Sequence, residues 1–467
     1  MSKQRFLGIT VLADFVLSEG IDQVLDNLMR IGATAVATNP TVTAEAPEGT
    51  GSFQPPSDAG SSPRLFDRPL FGKQSLWVRG APSYHPNEKL YHNTSYQPRK
   101  ATELTMMHGH ILNDFIKASR DRGLEVYFQV NGATPAGLTT DDAPRLPNGK
   151  EPQNRMADTG SLASPAIRSY NRAYVQDLLE KYPDITGFRP DWPEYPCYKL
   201  DEAFQDFGFH VKGWAESHGF AFESIRKEVG ALYEYLHGHL TNADLEDWAS
   251  ADRGKWAQIR LLRQYPAVLE WLRLKAALSV DLLRDWREAI TVVGGTDKKL
   301  SANAFMVPLT QFTGFDFSGA SQYCDAISPK LYTMHWSVMV EFWGSVLLQH
   351  NAGLNETLVV RALAHLFDLG DVITATRISD YGYPEPDEPH PIPNTPQIRK
   401  IQQVLNEVKN RAQVTALMHG YGPYEDFVRR FQIVADSAAA GVWINRYGYL
   451  SDKKLDAIGA IWKQTSQ

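Results

Sequence analysis

Cysteine is nearly absent from this chain: 467 residues carry two, Cys197 and Cys324. Two cysteines cannot build a disulfide framework, and no CxxC or Cys/His zinc spacing accompanies them. Long apolar runs are missing too. None approaches the ~18 residues that a membrane span needs. The opening MSKQRFLGIT passes straight into an apolar strand without a signal-peptide core. These absences predict a cytoplasmic protein with no membrane partner. An excess of positive charge is also lacking: 47 Lys and Arg face 54 Asp and Glu, a net charge of −7. Such a field does not recruit nucleic acid. Phosphate-binding turns are missing as well. ADFVLSEG, residues 13–20, stands where a dinucleotide-binding sheet would place GxGxxG, and no GxxxxGK[ST] occurs. Nor is there a GxSxG nucleophile elbow. No cofactor is expected.

What is present is a repeated strand-then-helix alternation. Arg5–Leu17 reads as a first strand, nearly continuous in apolar residues as strands buried on both faces are. Ser18 is placed to cap a helix over Gly20–Gly32. Thr34–Thr38, Leu124–Val130, Ile185–Phe188, Leu300–Val307, Ala326–Tyr332, Val414–Met418 and Gly441–Ile444 read as further strands, with helical periodicity between them. Asp371–Thr376 is a candidate seventh or insertion strand. After Ser164-Pro165, the residues Ile167, Tyr170, Tyr174, Leu178 and Leu179 mark the expected buried face of a helix. About eight βα units imply an α/β fold, a (β/α)8 TIM barrel with long insertions in the βα loops. The expected organisation is one barrel domain over 1–467. Residues 41–103 form a loop excursion after strand two, and 199–264 a helical insertion after strand four. The sequence leaves open whether 41–98 caps its own barrel or reaches into a second copy in a homo-oligomer.

One stretch concentrates the chemistry: YPDITGFRPDWPEYP, Tyr182–Pro196. An apolar strand runs into Arg189, Asp191, Trp192 and Glu194, and the prolines at 190 and 193 block both continued pairing and an easy helix. In a barrel the site lies where the strands end. Those ends supply Asp14, Asn39, Gln129, Asn131, Arg189, Asp191, Glu194, Asn303, Lys330, Tyr332, His335, Trp336, His419, Tyr421, Asn445, Arg446 and Tyr447. Carboxylates, amides and rings without a ligand cluster suit glycoside cleavage, which needs one ionised carboxylate and one raised-pKa acid. Aromatics at loop positions suit stacking on sugar faces. Asp191, supported by Arg189, is the candidate nucleophile or base. Glu194, among Trp192, Pro193, Tyr195 and Pro196, is the candidate acid, and Asp316 in TQFTGFDFSG the other. Asp14, Asn39, Gln129, Asn131, Arg189, Trp192, Asn303, Lys330, Tyr332, His335, Trp336, His419, Tyr421 and Arg446 are candidate contacts to an oligosaccharide or glycoside.

GFRPD at the end of a fourth strand resembles the GFRxD of α-amylase-type barrel hydrolases. That resemblance implies Asp191 as nucleophile with Arg189 beside it. LYHNTSYQP followed by RGLEVYFQVNG, and the long helix YPAVLEWLRLKAALSVDLLRDWREAI before LSANAF, resemble the glycosyl-hydrolase-like barrels related to that clan. The chain departs from the amylase pattern twice. SANAFMVP has no glutamate, and MHGYGP carries His419 without a following aspartate. Glu194 as acid therefore comes from its surroundings alone. Two other classes remain: a lyase, isomerase or aldolase using Lys330 or a metal at Asp14, Asp191, His335 and His419, and a carbohydrate-binding barrel without turnover.

Overall fold

The computed structural model describes residues 5–56, 64–153 and 155–465. The opening four residues, and 57–63 of the aperiodic 41–64 stretch, lie outside the described residues. Eight parallel strands close on themselves. They are β1 (Phe6–Thr10), β2 (Ala35–Thr38), then, beyond the three strands of an added sheet, β6 (Glu125–Asn131), β7 (Gly187–Asp191), β8 (Lys299–Ala304), β9 (Ala326–Leu331), β10 (Gln413–His419) and β11 (Gly441–Asn445). The ring runs β1-β11-β10-β9-β8-β7-β6-β2 and back to β1. This is the (β/α)8 barrel that the alternation predicts.

Period-two alternation decides what fills the ring. Arg189 of β7 and Trp443 of β11 stand on opposite sides, four places apart, yet the guanidinium lies 3.6 Å from the indole centroid. Both therefore point inward, and Trp443 spans the barrel. It can do so because the neighbouring strand has Gly8: a Cβ there would lie 2.3 Å from the ring. Phe188, one residue from Arg189, faces outward against Trp286 of the Ala267–Gly294 helix. That 28-residue helix is the longest of the outer ring. Its buried Asp281 is paired with Arg168 at 2.7 Å, and Asp285 with Arg172, both on the Pro165–Lys181 helix. Among the described residues, no helix is long and apolar enough to cross a membrane.

Several boundaries differ from the sequence reading. The first strand stops at Thr10, and Ala13–Glu19 is a helix, so Asp14 sits in a helical first turn. Ser18 does not cap the Ile21–Arg30 helix; Gly20 holds the cap position and Ser18 Oγ accepts from the Phe71 amide instead. Residues 371–376 form no strand. Asp380 accepts from the Thr376 and Arg377 amides, and Val372 is exposed, so the segment closes into a turn. The excursion after β2 carries an antiparallel sheet in the order β3 (Thr41–Glu45), β5 (Leu76–Pro82), β4 (Ser52–Gln54). Val42, Ala81 and Leu104 form its small core. Residues 199–264 carry five helices, Leu200–Ala203, Phe209–Ser217, Phe222–Leu236, Asn242–Trp248 and Gly254–Gln264.

Candidate active site

The inward register of three adjacent strands builds the centre of the mouth. Arg189 is fully buried and donates to Asn303 Oδ1 at 2.7 Å. One step nearer the opening, Asp191 on β7 reaches across the end of β8 to Lys330 on β9, with Nζ 2.5 Å from Oδ1. The lysine side chain is 3 % exposed and the aspartate 18 %. Lys330 also lies 4.4 Å from the centroid of Trp192, whose backbone takes a positive φ of 52°. Burial lowers the lysine's proton affinity, and Asp191 offsets part of that effect. This pairing is the ordinary fate of a barrel lysine beside a carboxylate. Gly132, just past β6, lets the neighbouring loop lie against this turn: a Cβ there would come within 2.9 Å of the Asp191 carbonyl.

Glu194 lies in the same turn but in a different environment. Its side chain is wholly buried, Oε1 accepts from the Phe305 amide at 2.6 Å, and Oε2 accepts from the Thr313 hydroxyl. Burial pushes its carboxyl up to about 7, against the pull of these two donors and of Lys330. Asp191 is also among the charges it feels. The two carboxylates thus sit three residues apart, one paired with a cation and partly open, the other desolvated.

The far side of the mouth is aromatic. Tyr332 packs edge-on against His335 at 5.4 Å and His419 at 5.1 Å between ring centroids. His335 Nδ1 is 3.2 Å from the Tyr198 hydroxyl, and His419 Nδ1 accepts from the Tyr421 amide. Burial holds both imidazoles well below their usual range, hence neutral, and the positive charge of Arg446 pushes the same way. Tyr421 donates to the Pro384 carbonyl. Asn39, Gln129 and Asn131 line a groove of about 670 Å³ beside this centre, where β2 and β6 end. Asn131 stands opposite Asp191 in the strand register.

Three candidates lie elsewhere. Asp316 accepts from the Ser318 amide and caps the short Phe317–Ala320 helix, which packs among the outer helices. Its carboxylate is used locally, as aspartates at helix starts usually are. Trp336 is fully buried beneath Lys400 of the Asn394–Val408 helix, so its face is not offered to the mouth. Asp14 is buried in the Ala13–Glu19 helix, which packs against β3 and so joins the added sheet to the barrel. Asp14, Asp191, His335 and His419 do not form a ligand set: among the described residues no three His, Cys, Asp or Glu side chains gather in a way able to hold a metal ion.

Residues without a local sequence signature also shape the site. Arg64, from the excursion, lies buried over the rings of Tyr383 and Tyr421 at 4.6 and 5.2 Å. No local pattern marks it, because its partners are more than 300 positions away. Thr313, which holds Glu194, is equally silent. Trp443 is silent too, since Val442, Trp443 and Ile444 are consecutive apolar residues in a strand buried throughout, and nothing in that run says which of them faces inward. Tyr170 and Tyr174 are half-buried and line the groove, rather than marking the wholly buried face of their helix.

A closed parallel barrel with a polar, aromatic mouth defines the class: the fold is that of the (β/α)8 enzymes and binding proteins. No family model and no curated protein sequence matches the chain, but solved structures do. The catalytic domain of a beta-amylase from Paenibacillus polymyxa superposes with a TM-score of 0.50 at 8 % identity, over 99 % of this chain and 98 % of that one. The C-terminal domain of a putative chitinase from Desulfitobacterium hafniense gives 0.42 at 9 % identity, over the whole of both chains. A Group IV chitinase from Ostrinia furnacalis gives 0.42 at 10 %, over 98 % of this chain and all of that one. At such identities the beta-amylase likeness establishes the shared barrel.

Proposed function

We propose that this protein is a carbohydrate-active barrel enzyme that hydrolyses a glycosidic bond in an oligosaccharide or glycoside. The observation that carries the reading is the pair Asp191 and Glu194 on one stiff turn, in environments that push the two carboxyl groups toward opposite roles. Asp191 has its charge balanced by Lys330 and keeps part of its surface open, which suits a nucleophile or base. Glu194 is desolvated, with its carboxyl raised to about 7, which suits the proton-holding acid. Arg189 and Asn303 form the floor beneath Asp191, and the Arg189–Trp443 stack fixes that floor. The chemistry named by the beta-amylase and chitinase neighbours agrees with this reading.

A second reading, a carbohydrate-binding barrel without turnover, is favoured by the burial of Glu194 and the commitment of both its oxygens to Phe305 and Thr313. Turnover of a panel of aryl glycosides and oligosaccharides by the wild type, Asp191→Asn and Glu194→Gln separates the two. The hydrolase reading expects hydrolysis of at least one substrate and a loss of about 10³-fold or more in Asp191→Asn, the scale of a removed catalytic group. Sugar binding with no product from any substrate leaves the second reading. Unchanged turnover in a folded Asp191→Asn protein removes Asp191 from the chemistry.

A further inference from the structure

The groove at the ends of β2 and β6 is larger than one sugar ring requires. Its volume of about 670 Å³ falls within the roughly 300–1,000 Å³ of sites that enclose an extended small ligand. One wall is a helix face. Tyr170 and Tyr174, one turn apart on the Pro165–Lys181 helix, stack with ring centroids 5.7 Å apart and planes 13° from parallel. Tyr91 and Tyr96 pack against Tyr170 from behind, at 5.7 and 6.3 Å, and fix the pair. The floor carries amides: Gln129 Oε1 and Asn39 Oδ1 are buried without a hydrogen-bond partner among the described residues. Flat rings with unsatisfied amide acceptors beside them match a ligand that offers C–H faces and hydroxyl donors together.

Charge on the walls is mixed. The lining carries Arg99 and Arg155 with Glu151 and Asp158, two charges of each sign; Glu151 also pairs with Arg145 outside the lining at 2.8 Å, and Arg155 donates to the Thr159 carbonyl at 2.7 Å. The lining therefore gathers no cluster of unopposed cations for an acidic sugar. The groove lies next to Asp191, because Asn131 in its lining is the register partner of Asp191 on the neighbouring strand.

We infer that this groove is an extended subsite for a neutral oligosaccharide, with the Tyr170–Tyr174 pair as its stacking platform and Asn131 as its junction with Asp191. The inference rests on the carbohydrate reading above, but on binding rather than on bond cleavage. It makes this chain a reader of several linked sugar units.

Calorimetric titration with xylo-, cello-, malto- and chito-oligosaccharides of two to six units tests it, with products analysed after each run. In one of these series the affinity rises at least tenfold from disaccharide to tetrasaccharide. Tyr174→Phe keeps that rise, whereas Tyr174→Leu, which fills the space without a flat face, abolishes it. Asn131→Ala, at an exposed position that carries little folding risk, weakens the longer ligands. A flat length dependence in all four series overturns the inference. So does a rise that survives both Tyr174→Leu and Asn131→Ala, or tighter binding of oligogalacturonates than of every neutral series. Length-dependent binding without products keeps the groove and removes the hydrolase, and cleavage of short aryl glycosides without length dependence does the reverse.

Discussion

Removing the Asp191 carboxylate leaves Lys330 positively charged in a site where its side chain is 3 % exposed. Breaking one side of a buried ion pair typically costs about 3–5 kcal/mol, because the remaining charge is uncompensated. Asp191 keeps 18 % of its surface, so water reaches one partner, and the lower end, about 3 kcal/mol, is expected for Asp191→Asn near neutral pH. Lys330→Met removes the charge itself, so Asp191→Asn with Lys330→Met is less destabilised than the sum of the single variants. The expected coupling is about 2 kcal/mol, well above the ~0.5 kcal/mol scatter of independent sites. The pH dependence carries the same signature. Burial already lowers the Lys330 proton affinity, and loss of Asp191 lowers it further. The unfolded chain then binds the proton more tightly than the folded one. Stability of Asp191→Asn therefore rises with pH from the folded lysine's midpoint up to ~10.4, its unfolded value. Urea denaturation of the four proteins between neutral pH and 10.5 reads both effects. Additive single variants, or an Asp191→Asn protein that gains nothing as pH rises relative to wild type, refute the buried pair.

Glu194 gives the opposite slope. Its carboxyl, at about 7 in the folded protein against a usual 4.5, binds protons better when folded. Its share of stability is full at low pH and is lost as pH rises through about 7, up to about 3 kcal/mol in all. Glu194→Gln should flatten that decline in denaturation midpoints between pH 4.5 and 7.5; an unchanged slope counts against it. Gly8→Ala forces a methyl group into the Trp443 ring and should lower stability by about 1–3 kcal/mol, with Trp443→Phe restoring part of the loss in a thermal melt. Asp316→Ala removes a helix cap and should cost about 1 kcal/mol.

The fold was legible because its signal is local. Eight apolar stretches separated by helical periodicity mark the strands wherever they fall, and a parallel ring is the arrangement that buries all of them on both faces. For the same reason the polar strand ends were legible as positions: Asn39, Gln129, Asn131, Arg189, Asp191, Asn303, Lys330, Tyr332, His335 and His419 lie in the last part of a barrel strand or just beyond its end. Boundaries were less so. FLGITVLADFVL is apolar but for Thr10 and Asp14 and holds no turn residue at the boundary, so little in composition separates β1 from the helix that follows it.

Only the folded chain decided which of those groups meet. Trp443 reaches Arg189 from the opposite side of the ring, Lys330 passes over the end of β8 to Asp191, and Thr313 takes one oxygen of Glu194. Arg64 crosses from the second loop to lie over Tyr383 and Tyr421. Each contact joins positions more than 100 residues apart. Periodicity along the chain says which way a side chain points relative to its own strand, whereas the closure of the barrel sets what stands opposite.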